Sequence, residues 1–340
     1  MIRVLVVDDS RVLTKIVSRI LERDPAIQVA GTAANGREAI EKVESLKPDV
    51  VTLDIEMPIM DGMEALKHIM ATNPLPVIML STLTRDHADI TMDALAMGAC
   101  DFVTKDFSNS LLRDKEHELI NKVKNVSHNR ARLLLKGFIP QERQVSISPR
   151  TTLKREIVSI GASTGGPPAL QYILSHLPRE FPVPVVIAQH MPRLFTQSFA
   201  ERLDKISKVT VKEAEDKEDL KAGVVFIAPG DTHLAIRRSR REATVEFVAD
   251  DRYIYRPSVD LLMSTTAEVY GRNSFGLILT GMGTDGLAGM KELKSKGGYV
   301  IAQNEETCVV YGMPKAVVNA HLADMVLPID RIPEEIVRML

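Results

Sequence analysis

The sequence predicts an α/β protein made of two doubly wound parallel-sheet domains. Short runs rich in β-branched residues alternate with segments of helical period over the first third of the chain, and this alternation resumes near residue 157. Between the two regions, over residues 125–156, both periodicities weaken. The 340-residue chain is long enough for two domains, since a domain typically has about 100–200 residues.

The first domain is predicted to contain five strand–helix units. Its strands read as continuous apolar runs, because helices cover both faces of a parallel sheet. Its helices repeat apolar residues at a period near that of an α-helix, as at Val12, Ile16 and Ile20. The predicted strands are 2–7, 29–33, 50–53, 77–80 and a run beginning at 102–103, and the predicted helices are 11–23, 37–46, 62–71, 87–97 and 111–126.

The second domain repeats this pattern and adds a β-hairpin, predicted from the runs at 245–249 and 253–255. The stretch that joins the domains is basic and contains Pro140 and Pro149, which is typical of a solvated tether; the alternative is a segment that contacts an acidic partner. The predicted limits are 1–122 for the first domain, 123–155 for the linker and 156–340 for the second domain. The predicted strands of the second domain are 157–160, 183–188, 224–228, 275–279 and 299–302, with helices such as 170–177 and 287–296 between them.

Composition and charge exclude several classes of protein. The formal net charge is -2, so no global positive charge favours nucleic-acid binding. No apolar run approaches the roughly 18–20 residues of a membrane span, and the N-terminus lacks the apolar stretch of a signal peptide. The cysteines Cys100 and Cys308 have no His or Cys neighbours at metal-binding spacing, so neither a disulfide framework nor a zinc site is expected. A cytoplasmic location is therefore expected.

Chemically reactive side chains follow four strands of the first domain. Asp8 and Asp9 follow the first strand, Asp54 the third, Ser81 the fourth and Lys105 the fifth. A divalent cation such as Mg²⁺ would relieve the repulsion among the carboxylates. Together with the hydroxyl and the ammonium group, the set suits the binding of a phosphoryl group. The simpler alternative is that single acids after strands cap helices.

These positions resemble the receiver domain of bacterial two-component response regulators over residues 1–122. The matching motifs are VDDS at 7–10, LDIEMPIMDG at 53–62 and VTK at 103–105, although Asp106 stands where the family usually has proline. The resemblance implies a flavodoxin-like fold, phosphorylation of Asp54 by a histidine kinase, and a bound Mg²⁺. The implied Mg²⁺ ligands are Asp8, Asp9, Asp54 and the Glu56 main-chain carbonyl, and the implied switch residues are Ser81, Phe102 and Lys105.

A G-x-S-x-G motif follows the first predicted strand of the second domain. GASTGG at 161–166 lies between a strand and a helix, as a nucleophile elbow requires. The glycines permit a tight turn that exposes the Ser163 hydroxyl, and the helix N-terminus offers N–H groups to an oxyanion. The alternative is a glycine-rich phosphate-binding turn, but the P-loop lysine and the G-x-G-x-x-G spacing are missing.

A serine nucleophile needs a base and an acid that orients the base. His190 and Asp285 each follow a predicted strand, so their positions favour the set Ser163, His190 and Asp285. The chain order of α/β-hydrolases would instead combine Ser163 and Asp285 with His321. The other candidates are His176 and His233 for the base and Asp231 for the acid.

Residues 155–340 closely resemble the catalytic domain of the chemotaxis receptor methylesterase family, often called CheB. The resemblance implies hydrolysis of glutamate γ-methyl esters on chemoreceptors, with release of methanol, and deamidation of glutamines. It implies Ser163 as nucleophile, His190 as base and Asp285 as the group that orients it, with no cofactor for the esterase. It also implies the Thr164 and Met282 main-chain N–H groups as oxyanion donors. The shared motifs are GASTGGP at 161–167, QHMP at 189–192, APGDTH at 228–233, LTGMGTDG at 279–286 and YGMP at 311–314.

The resemblance to this family, with its joined receiver, implies that phosphorylation activates the esterase by relieving a block that the receiver places on the catalytic rim. It thereby implies a role in adaptation in chemotaxis. The implied partners are methyl-accepting chemoreceptors and a chemotaxis histidine kinase; no nucleic acid and no membrane insertion are expected, and a monomer is expected. One other hypothesis is a receiver-controlled serine hydrolase for another ester or amide. Another is a response regulator with a DNA-binding output, but the basic run at 237–241 is more typical of a solvated hairpin turn.

Overall fold

The computed structural model describes residues 1–106, 112–127, 155–238 and 243–340. The chain divides into two compact units, Met1–Gly137 and Phe138–Leu340. Most of the predicted linker lies outside the described residues, and the last helix of the first unit runs to Ser127, beyond residue 122. The predicted domain limits therefore stay predictions.

The first unit has the predicted alternation of five strands and five helices among its described residues. Its elements are β1 (Ile2–Val7), α1 (Arg11–Leu21), β2 (Ile27–Ala33), α2 (Gly36–Leu46), β3 (Val50–Asp54), α3 (Gly62–Thr72), β4 (Val77–Ser81), α4 (Arg85–Met97), β5 (Asp101–Thr104) and α5 (Leu112–Ser127). Several helices begin at a side chain that accepts a backbone N–H, which compensates for the unpaired donors of a first turn. These capping residues are Ser10, Asn35, Asp61 and Thr84.

The strand order of the first sheet is β2-β1-β3-β4-β5, and all its strands are parallel. The order reverses between β1 and β3, so the ligand crevice of such a sheet is expected beyond the ends of these two strands. α1 packs against α5, while α3 packs against α2 and α4, which covers both faces of the sheet. At this crevice α3 begins with Gly62, where a Cβ would lie 1.9 Å from the Asp54 carbonyl oxygen. The missing side chain lets α3 start directly against the end of β3.

The second unit contains a larger parallel sheet, flanking helices and one antiparallel hairpin. The strands are β6 (Ile157–Ala162), β7 (Val185–Gln189), β8 (Thr210–Glu213), β9 (Val224–Ile227), β10 (His233–Arg238), β11 (Ala243–Val248), β12 (Ser274–Ile278), β13 (Tyr299–Gln303) and β14 (Met325–Leu327). The α-helices are α6 (Gly166–His176), α7 (Arg193–Ile206), α8 (Val259–Tyr270), α9 (Leu287–Ser295), α10 (Met313–Asn319) and α11 (Ile332–Arg338).

The strand order of this sheet is β14-β13-β12-β6-β7-β9-β8. The chain builds outward from β6 through β7 on one side and returns to the other side of β6 with β12, so β6 lies at the switch in strand order. α6 packs against α7 and α11, whereas α9 packs against α8 and α10. The edge strands β8 and β14 are not predicted from the sequence, because both are short and only partly buried and so lack a continuous apolar run.

The predicted hairpin is present, but one of its two predicted strands is wrong. β10 pairs with β11, and the pairing begins with His233 opposite Val248. Residues 253–255 form a loop in which Tyr253 packs on His233 and Tyr255 on His190. Aromatic side chains favour strands in general, but here the two tyrosine rings pack on histidines and the segment is a loop. Residues 239–241 of the predicted basic turn lie outside the described residues.

Candidate functional site

Ser163 occupies the tight turn between β6 and α6. The Gly166 N–H donates to the Ser163 carbonyl oxygen at 2.7 Å, and Gly165 adopts a left-handed φ of 77°. A Cβ at Gly166 would lie 2.0 Å from Oε1 of Gln189 and 2.9 Å from Cβ of Ala162, so the absence of a side chain leaves room for Gln189 beside the turn. The Gln189 amide donates to the Ser163 carbonyl oxygen at 3.0 Å. The local geometry is therefore that of a strand–turn–helix elbow.

His190 lies beside Ser163 because of strand register. Ala162 of β6 is the partner of Gln189 in β7, and Ser163 and His190 are the residues that follow each of them. The His190 N–H donates to the Ala162 carbonyl oxygen at 3.0 Å. Among the described residues, the structure records no hydrogen bond between the Ser163 hydroxyl and the His190 ring. Such bonds are often loose in unliganded enzymes and tighten when substrate binds.

Asp285 lies in the loop between β12 and α9 and meets His190 directly. His190 Nε2 is 2.8 Å from Asp285 Oδ2. The backbone N–H groups of Val259 and Asp260 donate to the same carboxylate at 2.8 and 3.0 Å, and the Ser258 hydroxyl donates to it at 3.2 Å. These three residues form the N-terminal end of α8, where the helix dipole favours a negative charge.

These contacts fix the charge of Asp285. Burial opposes its ionisation, but the hydrogen bond and charge of His190 and the N–H groups of Val259 and Asp260 outweigh burial and lower the pKa of Asp285. The carboxylate accepts a hydrogen bond from His190 Nε2, so that nitrogen carries the proton in the neutral ring. The lone pair of the neutral ring therefore resides on Nδ1.

The alternative acids and bases lie elsewhere. His321 is exposed at the end of α10, and Asp231 is exposed at a turn with a φ of 62°. His233 is buried, and its Nε2 is 3.0 Å from the Asp250 carbonyl oxygen; burial lowers its pKa. His176 Nδ1 is 2.7 Å from the Tyr172 carbonyl oxygen within α6. Asp285 therefore pairs with His190. Among the described residues, none of the alternative acids and bases replaces either member of this pair.

The loop between β12 and α9 is joined to the elbow. The Ser163 N–H donates to the Thr280 carbonyl oxygen at 3.0 Å, and the Thr280 hydroxyl donates to the Thr164 carbonyl oxygen at 2.9 Å. A Cβ at Gly281 would lie 2.8 Å from Ser163 Cβ, so the backbone that leads to Met282 passes next to the serine. Of the two residues expected to donate to an oxyanion, Thr164 follows Ser163 in the elbow, and Met282 follows Gly281, which lies against the serine.

The structure adds residues that the sequence interpretation missed. Ser258 holds Asp285 and also caps α8 by accepting the Leu261 N–H. Tyr255 stacks on the His190 ring, with ring centroids 4.6 Å apart and planes 9° apart. A serine before a helical run is a capping signal, but no local signal connects it or Tyr255 to residues so distant in sequence.

In the first unit, the three carboxylates converge at the expected crevice. One oxygen each of Asp8, Asp9 and Asp54 lie within 4.8 Å of one another. Asp8 and Asp54 are buried and Asp9 is exposed. Lys105 Nζ lies 3.0 Å from Asp8 Oδ2 and 2.5 Å from Asp54 Oδ1. Burial raises the pKa of Asp54; Lys105 acts against this rise and the nearby Asp8 charge adds to it.

The remaining expected receiver residues border this cluster. Ser81 is buried at the end of β4 and accepts a hydrogen bond from the Thr91 hydroxyl at 2.9 Å. Phe102 is buried in β5, with Lys122 Nζ 5.4 Å from its ring centroid. The Glu56 side chain is exposed and lies 3.3 Å from His87 Nε2, so the expected role of Glu56 would depend on its main-chain carbonyl.

The donor set of this cluster suits a hard divalent cation. All three acidic groups offer oxygen atoms, which Mg²⁺ prefers, and the exposed Asp9 leaves the cluster open on one side.

None of the described helices combines the length and apolar character needed to cross a membrane.

Comparison with known proteins gives two family matches. Residues 158–336 match the CheB methylesterase family model, and residues 4–116 match the response regulator receiver domain model. The crystal structure of the Thermotoga maritima CheB methylesterase catalytic domain is 47% identical, with a TM-score of 0.54, and the match covers 55% of this chain and 100% of that one.

Two relatives match this chain over nearly the whole of their own length. The protein-glutamate methylesterase/protein-glutamine glutaminase 1 of Oleidesulfovibrio alaskensis is 46% identical over 99% of this chain and 98% of its own length. The protein-glutamate methylesterase/protein-glutamine glutaminase of Thermotoga maritima is 45% identical over the same two shares. The chain therefore belongs to the CheB methylesterase family, with a response regulator receiver domain ahead of the methylesterase domain.

Proposed function

We propose that this chain is a phosphorylation-regulated protein-glutamate methylesterase and protein-glutamine glutaminase of chemotaxis, and that Ser163, His190 and Asp285 perform its chemistry. The observation that carries the catalytic assignment is the 2.8 Å hydrogen bond between His190 and Asp285 beside the Ser163 elbow. The names of the relatives support both activities.

The proton leaves Ser163 through His190. Asp285 engages Nε2, so Nδ1 is the ring atom that accepts the hydroxyl proton as the Ser163 oxygen attacks the ester carbonyl. The positive imidazolium that forms is stabilised by the ionised Asp285. The carbonyl oxygen becomes an oxyanion, which the Thr164 and Met282 N–H groups bind.

Two half-reactions complete the hydrolysis. His190 returns its proton to the departing methoxide, which leaves as methanol while the acyl group stays on Ser163. A water then attacks the acyl carbonyl and gives its proton to His190, which passes it to the Ser163 oxygen as the acid is released. With a glutamine side chain the leaving group is ammonia and the remaining steps are the same.

The receiver controls this reaction through Asp54. Asp54 accepts a phosphoryl group, with Lys105 close enough to neutralise part of the added charge. Mg²⁺ held by Asp8, Asp9, Asp54 and the Glu56 carbonyl would supply charge neutralisation for that transfer. Ser81 and Phe102 are proposed to change position after phosphorylation. Phosphorylation shifts the equilibrium between the two receiver conformations only to the extent that it stabilises one of them more than the other.

The proposed partners follow from the substrate. They are methyl-accepting chemoreceptors, whose glutamyl esters are hydrolysed, and a histidine kinase that supplies the phosphoryl group. The reaction is proposed to take place in the cytoplasm, at receptor helices, without insertion of this chain into the membrane. We propose no nucleic-acid partner.

Methanol release from methylated receptor membranes tests the proposal. The full-length protein is expected to release methanol, and Ser163→Ala is expected to abolish release. Ser175→Ala is the matched control, since the Ser175 hydroxyl bonds to the Tyr172 carbonyl inside α6 and lies outside the proposed site. Retained release in Ser163→Ala would remove Ser163 as the nucleophile. Labelling of Ser163 by a fluorophosphonate without methanol release would instead indicate a hydrolase for another ester or amide.

A further inference from the structure

The His190 ring is covered by a tyrosine that the proposed mechanism does not use. Tyr255 lies parallel to it, with a centroid separation of 4.6 Å and an interplanar angle of 9°. Tyr255 is 44% exposed, so it covers the histidine from the solvent side and does not belong to a deep core.

The segment that carries Tyr255 also holds the partner of His190. Three residues after Tyr255, Ser258 donates to Asp285, and the N–H groups of Val259 and Asp260 follow. Between Tyr255 and Ser258, Arg256 forms an ion pair of 2.5 Å with Asp251. One short segment thus fixes the carboxylate at the edge of the imidazole and places an aromatic ring on its face.

These two contacts bear on different properties of the base. The Asp285 hydrogen bond fixes which nitrogen holds the proton, while a stacked ring restricts rotation of the imidazole out of its plane. When His190 accepts the Ser163 proton it becomes a cation lying over an aromatic face, and such a face attracts cations. The attraction is stronger for the imidazolium than for the neutral ring, so it favours the proton-transfer step.

We propose that Tyr255 is a positioning residue for the reaction, whose ring holds the plane of His190 and stabilises its protonated form. This inference rests on the proposed function, because it requires His190 to be the base. It assigns the effect to the ring and not to the hydroxyl. The hydroxyl lies beside the loop between β12 and α9, where a Cβ at Gly283 would be 3.4 Å away, and no hydrogen bond is recorded for it among the described residues.

The test compares Tyr255→Leu, Tyr255→Phe and the matched control Tyr253→Leu in the full-length protein. Tyr253 lies in the same loop and packs on His233, with ring centroids 5.6 Å apart. We expect Tyr255→Leu to lower kcat for methanol release about tenfold, or about 1.4 kcal/mol, with little change in KM. Tyr255→Phe and Tyr253→Leu should retain kcat close to that of the unsubstituted protein.

A spectroscopic readout makes the test independent of the stability of the variants. In protein carrying ¹³C-labelled histidine, the His190 ring protons should be shifted upfield by the Tyr255 ring current, in the unsubstituted protein and in Tyr255→Phe but not in Tyr255→Leu. Absence of that shift in the unsubstituted protein would overturn the inference. So would an unchanged kcat in Tyr255→Leu, an effect on KM alone, or a Tyr255→Phe variant as slow as Tyr255→Leu.

His190→Gln separates the two proposals. If His190→Gln is inactive while Tyr255→Leu is fully active, only the role of Tyr255 is wrong. If His190→Gln remains active, the proposed function loses its base whatever the Tyr255 variants show.

Discussion

Asp285 Oδ2 accepts hydrogen bonds of 2.8 Å from both His190 Nε2 and the Val259 N–H. The imidazole is thereby coupled through one carboxylate to the N-terminus of α8, so rotation of the His190 ring would break its hydrogen bond to a carboxylate that the helix end holds in place. In serine proteases the orienting carboxylate binds Nδ1 and the nucleophile faces Nε2. Here Asp285 binds Nε2 instead, so in the proposed mechanism Nδ1 is the nitrogen that accepts the Ser163 proton.

Replacing Asp285 by asparagine should nearly abolish activity. A single amide oxygen cannot accept from the helix N–H groups and from His190 together, and an amide NH₂ facing Nε2 would place the imidazole proton on Nδ1. We expect Asp285→Asn to lower kcat for methanol release by about 10⁴-fold. Asp231→Asn, at an exposed turn, is the control and should be near normal. A loss smaller than about tenfold in Asp285→Asn would contradict the proposed role.

The pH dependence of stability should report the ionised state of Asp285. Its lowered pKa arises although burial opposes ionisation, because His190, Val259 and Asp260 donate hydrogen bonds to the carboxylate. A carboxyl with a lowered pKa contributes stability above its ordinary pKa of about 3.9, and this contribution is lost as pH falls through the lowered value. The difference in free energy of unfolding between the unsubstituted protein and Asp285→Asn should hold from about pH 7 to about pH 5 and shrink below about pH 4.

Urea unfolding of both proteins across this range measures that difference. A difference that grows toward acid would mean that the Asp285 pKa is raised in the folded protein.

Ser258 should affect both stability and rate. Its hydroxyl donates to Asp285 at 3.2 Å and accepts the Leu261 N–H at 3.3 Å as the cap of α8. Loss of a helix cap typically costs about 1 kcal/mol, so Ser258→Ala should lower the urea midpoint, and kcat should fall less than in Asp285→Asn. Ser258→Thr keeps a hydroxyl and should recover most of both. Equal kcat in Ser258→Ala and the unsubstituted protein would leave Ser258 with a structural role only.

Stimulation by a phosphodonor should require both Asp54 and Mg²⁺. With acetyl phosphate, the ratio of stimulated to unstimulated methanol release should fall to unity in Asp54→Asn, because no other carboxylate replaces the phosphoacceptor. Asp89→Asn, exposed on α4, should keep the stimulation. Chelation with EDTA should remove stimulation from the unsubstituted protein. Full stimulation in Asp54→Asn, or in the presence of EDTA, would contradict the proposed site.

Removing the Lys105 charge should make the receiver depend on a cation. Lys105 pairs with Asp8 and Asp54, both buried, and removing one partner of a buried pair typically costs about 3–5 kcal/mol. Lys105→Met should therefore lower the unfolding temperature in the absence of metal. Mg²⁺ should raise the unfolding temperature of this variant by more than it raises that of the unsubstituted protein. Thermal unfolding with EDTA or Mg²⁺ measures both effects. Lys115→Met, on an i,i+3 pair in α5, is the control.

Sequence periodicity predicts most of the architecture, because the patterns of helices and strands are local. Apolar runs and helical repeats predict the alternation of strands and helices in both units, and turn chemistry predicts the elbow at Ser163. Residues that follow strands can also be recognised without a structure, and this position singles out Asp54, His190 and Asp285. The edge strands β8 and β14 are not predicted, since short edge segments have no distinctive local pattern. The hairpin partner at 253–255 is wrong because its aromatic residues are typical of a strand although the segment is a loop.

Which of these residues meet was decided by the tertiary structure. His190 and Asp285 are 95 residues apart, and only the placement of β7 and β12 on either side of β6 brings them together. The tertiary structure also decides that Asp285 binds Nε2 of His190 and that Tyr255 stacks on the His190 ring. Composition and local pattern determine which side chains stand at strand ends, whereas strand order, a non-local property of chain packing, determines which of them share one site and which atoms they present to each other.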